Sequence, residues 1–568
     1  MRTGTRRVVI AIIVLVPLVL GGLWWRGTWV VNHLLHSAAP KAIADRSGGV
    51  YQLDVGHVRF HPLRRRIAVD SVYLTTNDEI NAQRPRRRTA LRLTFHECTI
   101  AGLHVFTVIA GRGLIAESFG CADVSAAAQL QPPRQLEGEE PDTAVAPSLV
   151  RQGFFLLQQG LRLPKFAPRL QVARIDFPHA KLELRLPWSR GAAAQFQLEH
   201  LEWHMTDFTV DPDDSAATSR PLFSRTVKIV ATTFVARPDS ESAAHVAAFE
   251  ANLADSTLEI RGIAMAPTMS DSAFAQARPY RRARLKTAVG RIAVHGFDWG
   301  AFALGEGVRA RRLQVDSFHM DLLSDKRRPP NPQPQVRRTP QQWIADLGRS
   351  FSIDSVLVQG DVTYREHGKR RRKPGVLTFA RLEVVGVNVR HVAGRRGTGN
   401  PMTLRTTAYV QNAGRLDTRF VVPLDAASFQ MTLDGSLGPM PATSLNAFIE
   451  EAAAFRIEKG RILGIGFEAS VSRGVARGTV TPRYKDLSIK VTGRGATGIL
   501  GTGGVIGDAA RGIATAVGNL TELRGDNPAD GETEPRRGPI DHTFTPDQTL
   551  PTFLWKSLRG GLLAVVQQ

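Results

Sequence analysis

The sequence predicts a mainly β protein with a few helices (α+β): an N-terminal transmembrane helix followed by an elongated, repeat-built, twisted antiparallel β-sheet groove. Three observations predict this. An unbroken apolar run opens the chain, period-two alternation fills most of the rest, and a glycine pattern returns after 194 residues.

The run from Val8 to Trp25 (VVIAIIVLVPLVLGGLWW) lies between Arg6-Arg7 and Arg26. At about 1.5 Å per residue it reaches about 27 Å, enough to cross a hydrocarbon core as a helix. Val8, Ile10, Ile13, Leu15, Leu18 and Leu20 supply its apolar surface, and Trp24 and Trp25 suit the far interface. Arg2, Arg6 and Arg7 precede the run, and short basic flanks stay cytoplasmic. The expectation is a single-pass anchor with its N-terminus inside and the bulk of the chain outside the cytoplasm. The rival reading is a cleaved signal peptide, but Ser37-Ala38-Ala39 lies too far past the run for a normal cleavage site.

A chain of 568 residues exceeds one hydrophobic core and implies two to four domains or a repeat array. The expected division is an anchor and amphipathic stretch (1–45), two β-rich repeat units (46–284 and 285–440), and a C-terminal segment (441–568). That last segment is expected to be β-rich, with a Gly-rich connector and a terminal helix. With 51 glycines and 33 prolines, many strands and turns are favoured over long helices.

The formal charge is +21, and the excess comes in bursts such as Arg64-Arg65-Arg66, Arg86-Arg87-Arg88, Lys326-Arg327-Arg328 and Lys369 to Lys373. No aromatics interleave with them to stack bases, so no nucleic-acid partner is expected. Anionic lipid head groups or lipopolysaccharide phosphates are the more natural partners outside the cytoplasm. Plain solvated turns are the alternative. The two cysteines, Cys98 and Cys121, are 23 residues apart and permit a disulfide in an oxidising compartment. Two buried free thiols are the alternative.

After a short helical stretch (28–45), Tyr51, Leu53 and Val55 share one face of a strand, and Val58 and Phe60 continue after a break at Gly56. Arg66–Leu74 reads as the next strand, and the same style recurs at Leu170–Leu186, Thr226–Arg237, Met402–Val410 and ten further segments; about 30 strands in single file would make a ribbon on the order of 140 Å. Gly102, Gly111 and Gly113 align with Gly296, Gly305 and Gly307, and Cys121 falls opposite Val315. Both copies lead into a proline-rich linker, an expected amphipathic helix (Pro147–Gln159; Pro340–Phe351) and a strand opening Ile175-Asp176 or Ile353-Asp354. A third, partial echo is a helix at Ala442–Ala454 followed by a strand from Phe455.

Catalytic and cofactor motifs are absent from the sequence. The one Gly-x-Gly-x-x-Gly, Gly493 to Gly498, is followed by more glycine rather than by a βαβ unit with an acidic partner, and it reads as a connector. His57/His61 and His96/His104 have no ligand partners at metal spacing, and Asp211-Pro212-Asp213-Asp214 lacks the glycine and glutamate of a calcium loop. The expectation is a non-enzyme with no cofactor and no metal.

At both ends the chain resembles the AsmA-like envelope proteins and their DUF748-type relatives. The N-terminal likeness is the anchor, Ser47-Gly48-Gly49-Val50-Tyr51 and Ile67 to Leu74; the C-terminal likeness is Gly478-Thr479-Val480, Tyr484 to Leu487, Asp526-Asn527-Pro528 and Phe553 to Leu562. The resemblance implies an inner-membrane-anchored periplasmic protein whose apolar β-groove handles phospholipid or another acyl-chain lipid and supports outer-membrane biogenesis. The alternative is a non-enzymatic structural or assembly factor of the cell envelope that binds a protein partner.

Overall fold

The computed structural model describes residues 32–129, 168–186, 194–491 and 524–566, apart from 62, 84–89, 105–106, 108–111, 212, 215–219, 238–241, 278, 282, 305, 330, 333–336, 347–349, 369–372, 395–396, 398 and 454. The stretch Val8 to Trp25, the expected helix Pro147–Gln159 and the glycine-rich segment from Gly493 lie outside the described residues. No described helix is long and apolar enough to cross a membrane.

The described chain is mostly β, with 21 strands in mixed, open-sheet pairing, and it divides into two compact units. The first, up to Leu258 apart from Glu241–Ala243, opens on a π-helical turn (Leu34–Ala38) and α1 (Ala39–Ser47). Its strands are β1 (Tyr51–Val55), β2 (Val58–His61), β3 (Arg66–Thr76), β4 (Ala90–Ala101), β5 (Leu114–Gln129), β6 (Leu170–Leu186), β7 (Ala194–Val210), β8 (Thr226–Arg237) and β9 (Ser242–Asn252). The short α2 (Asp78–Ala82) is capped by the Asn77 side chain, which accepts from the Ile80 amide.

The second unit runs from Glu259 and holds most of β10 (Thr257–Pro267), then β11 (Arg284–His295), β12 (Val308–Asp325), β13 (Phe351–His367), β14 (Gly375–His391), β15 (Met402–Val410) and β16 (Gly414–Val422). Next come β17 (Met431–Leu437), β18 (Met440–Pro441), β19 (Phe455–Ser472), β20 (Val475–Val491) and β21 (Gly538–Thr543). Its helices are α3 (Asp271–Gln276), α4 (Trp299–Leu304), α5 (Pro340–Asp346), α6 (Asn446–Ala453) and α7 (Leu550–Val566).

Two expectations need correcting. The pairing is not wholly antiparallel: β5 runs parallel to β6, and β12 to β13. In each case the next strand starts at the end where the first began and runs in the same direction. The described strands also number 21 rather than about 30, because several run to 17 or 18 residues, far beyond the usual five or six.

The repeat is a four-strand module. β4–β5 corresponds to β11–β12 at 194 residues, and β6–β7 to β13–β14 at 181, because the second linker is shorter. Registers agree: Ala101 opposes Ser118 as His295 opposes Arg312, and Leu170 opposes Val210 as Phe351 opposes His391. Gly102 and Gly296 both take φ near +66°, and in each an added Cβ would run into a side chain of the following strand, Glu117 or Arg311. A left-handed residue recurs in the last strand of each module, Asp207 and Asn388. The third echo is partial. Its helix and strand are present as α6 and β19, but β19 pairs antiparallel with β17, so the parallel junction is missing.

Candidate functional site

Cross-strand partners in a sheet point to the same side, so following the register from strand to strand reads out one face. In the first unit one such row is Leu53, Leu74, Leu93, Ala126, Leu182, Leu198, Phe234, Val246, crossing β1 and β3 to β9. The row beside it is Val55, Val72, Phe95, Val124, Ala180, Leu201, Ala231, Phe249. The alternate positions are of a different kind: Tyr73, Thr94, Ser125, Lys181 in one row, and His96 facing Asp123 in another.

The second unit repeats the division over ten strands. One row reads Val294, Leu313, Val356, Gly386, Leu404, Phe420, Leu433, Ala469, Gly478, Ile540. Its neighbour reads Ile292, Val315, Val358, Val384, Thr406, Thr418, Gly435, Phe467, Val480, Gly538. Neither holds a charged residue. At about 4.8 Å per strand this face is roughly 40 Å wide. The interleaved row Arg405, Arg419, Asp434, Glu468, Thr479 belongs to the opposite, charged face.

Helices cover the uncharged face of the second unit only in part. α7 lays Phe553, Ser557, Gly561 and Val565, spaced four apart, toward the sheet, and Phe553 is fully buried among Phe429, Leu433, Val480 and Ile540. Its backbone comes so close to β21 that a Cβ on Gly538 would meet the Gly561 carbonyl. α6 covers another corner, with Phe448 against Tyr364 at 5.8 Å between ring centroids. Elsewhere Val315, Val358, Val362 and Val384 are partly exposed and belong to no buried cluster among the described residues. In the first unit the same holds for Leu182, Leu198, Phe234 and Val246.

The charged face carries a shallow depression of about 650 Å³ bordered by Arg405, Asp417, Arg419, Ser436, Glu468 and Arg537. Its Asp417 is already engaged: the Arg415 guanidinium hydrogen-bonds it at 2.9 Å and holds its carboxyl below the usual range. At the edge of β10, Arg291 and then Arg261 likewise hold Glu259 low.

Cys98 and Cys121 are directly opposed on β4 and β5 and joined as a disulfide. Both are buried, in a core with Val69, Ile67 and Phe60. His96 packs edge-on against Tyr73 at 5.8 Å, and neither it nor His104, His57 or His61 belongs to a group of three or more His, Cys, Asp or Glu that could hold a metal among the described residues. The proposed anchor residues lie outside the described residues. One charged cluster escaped the sequence reading: Lys326 and Glu366, 8% and 0% exposed, pair at 2.5 Å, and the Tyr364 hydroxyl donates to Glu366 at 2.7 Å. Burial, then the Glu366 carboxylate, push the Tyr364 hydroxyl far up from its ordinary value.

No protein-family model matches the chain, and no curated protein matches it.

Proposed function

We propose that this protein accommodates lipid acyl chains on the uncharged sheet face, as a non-enzymatic envelope protein held to the inner membrane by Val8 to Trp25. The observation that carries this reading is the set of uninterrupted uncharged rows, left partly exposed where no described helix lies over them. An acyl chain in water costs about 0.8 kcal/mol per CH₂, so one of about 16 carbons needs on the order of 12 kcal/mol of apolar contact to leave its bilayer. An uncharged face several strands wide offers that contact without a closed pocket or a catalytic group. Kinship with the AsmA-like proteins, periplasmic location and a role in outer-membrane biogenesis belong to the same proposal, on the strength of the terminal sequence motifs.

Mass spectrometry of lipids co-purifying with the full chain tests the reading. Val358→Lys places a cation on the uncharged face, whereas Val385→Lys places one on the opposite face, where Val385 is already 39% exposed. The first should strip bound lipid and the second should not. Absence of lipid from the wild-type chain, or equal lipid in both variants, rejects the reading. A protein-binding assembly factor is the second reading, favoured by the charged depression around Arg405, Arg419 and Glu468.

A further inference from the structure

A second cavity, of about 230 Å³, lies at the end of β11 to β13, where the segments around α3 and after β12 wrap the strand ends. Four guanidiniums line it, Arg281, Arg284, Arg327 and Arg328, against two carboxylates, Asp271 and Asp325. Both carboxylates are already engaged. Asp325 takes a two-pronged bond from Arg327, at 2.6 and 2.9 Å. Asp271 is shared by Arg284, by Lys286 at 3.7 Å and by Arg365 at 3.6 Å. The wall therefore carries a clear excess of positive charge.

Arg284, Arg327 and Arg328 are held by side-chain hydrogen bonds. Arg284 is only 5% exposed, donates to the Met269 carbonyl at 3.2 Å, and has a buried Nε with no hydrogen-bond partner among the described residues. Arg328 donates through Nε to the Ala275 carbonyl at 3.0 Å, and the Arg281 amide bonds the Pro329 carbonyl at 2.7 Å. Burial disfavours the charged form of Arg281, and the Glu366 carboxylate offsets part of that cost.

The first module shows that the strand pairing does not need the Arg284 charge. At the positions of Arg284 and Leu323 it has Ala90 and Gln129, in strands of matching register. Parallel pairing of β12 with β13 puts both C-terminal ends together, so the burst Lys326-Arg327-Arg328 is delivered to the same end as His367.

We propose that this cavity binds a phosphate group, free or as a phosphoester. Guanidinium forks match the oxygens of phosphate in geometry and charge, and partial burial strengthens the attraction. Phe274, Ala275 and Leu323 leave an apolar wall that fits a few carbons attached to the phosphate. The site does not depend on the lipid reading, although a phospholipid head group is one of its two natural occupants.

Calorimetry on the detergent-purified full chain tests it, with inorganic phosphate and short-chain dihexanoyl phosphatidylglycerol as separate probes. Arg281→Gln and Arg328→Gln should each weaken binding at least tenfold with an unchanged melting temperature, and Arg390→Gln, on β14 opposite the start of β13, should leave binding unchanged. Binding of both probes identifies a lipid phosphate as occupant, and binding of inorganic phosphate alone identifies the free anion. Failure of both probes to bind, or binding that the two cavity variants leave unchanged, overturns the site. Phosphate binding by a chain that carries no co-purified lipid would sink the lipid reading alone.

Discussion

The two four-strand modules share a backbone and differ in what they place on it. Cys98 and Cys121 of the first oppose each other where Ile292 and Val315 of the second do. At the far strand ends, the first module carries an exposed pair, Arg185 with Glu183 at 2.7 Å, with side chains 53% and 35% exposed. The second carries Glu366 and Tyr364 at those positions, and Lys326 joins them in a nearly closed environment. The shared parts are the turn glycines, the registers and the uncharged rows; the staple and the charged end are local additions. The difference separates what builds the sheet from what was put on it.

The sharpest way to break this comparison is to remove one carboxylate or cation from each end. Glu366→Ala leaves the Lys326 ammonium buried without its partner and should cost about 3–5 kcal/mol in urea unfolding of the second unit. Arg185→Ala, which breaks the exposed pair of the first module, should cost about 0–1 kcal/mol. Similar costs at both ends would erase the distinction.

The staple comes next in size. Closing a loop over a sequence separation of 23 residues should stabilise the first module by roughly 3 kcal/mol. Reductant should therefore lower the unfolding midpoint of the first unit and leave the second unchanged, and the intact oxidised chain should show no free thiol by mass.

The shared turns set the third test. Gly102→Ala and Gly296→Ala each force a side chain into the left-handed region at φ near +66°, and each should cost about 1–2 kcal/mol. Equal losses would tie the modules together as one architecture; a loss in only one would mean that the glycine alignment does not mark equivalent turns.

The smallest effect is the share of the acid pH dependence that the charged end contributes. Burial raises the Asp325 carboxyl, but hydrogen bonds from Arg327 outweigh it and leave the group below its ordinary 3.8. A carboxyl depressed in the folded state contributes stability above its unfolded value and loses it as pH falls through the folded one. Unfolding midpoints should thus fall below about pH 3.8, and Arg327→Gln should flatten that part of the curve.

Alternation alone located β6, β8 and β15 to the residue, because large apolar residues there alternate with polar ones such as Thr, Lys, Arg and Glu. It missed β5, β9 and β11, where alanine stands on both faces, as in Ala126-Ala127-Ala128 and Ala243-Ala244. A methyl group gives little contrast between sides. Strand direction left no trace either, since period two is the same for parallel and antiparallel pairing. The uncharged face was legible only as alternation within single strands; its continuity depends on register, which no single strand contains. The charged end was invisible because Lys326-Arg327-Arg328 looks like any solvated turn until Glu366 and Asp325 are placed beside it.

The parallel junction has a consequence for how such a chain grows. Leu114 pairs with Leu170 and Val308 with Phe351 in the same relative register, although the connections between the strands are 40 residues long in one case (130–169) and 25 in the other (326–350). Doubling a flexible connection costs only about 0.6 kcal/mol of closure entropy. The crossover therefore works as an insertion port: its contents can lengthen, shorten or be exchanged while the strands on either side keep their partners. A tandem duplication at that point adds width to the sheet and leaves each new copy free to acquire its own fittings.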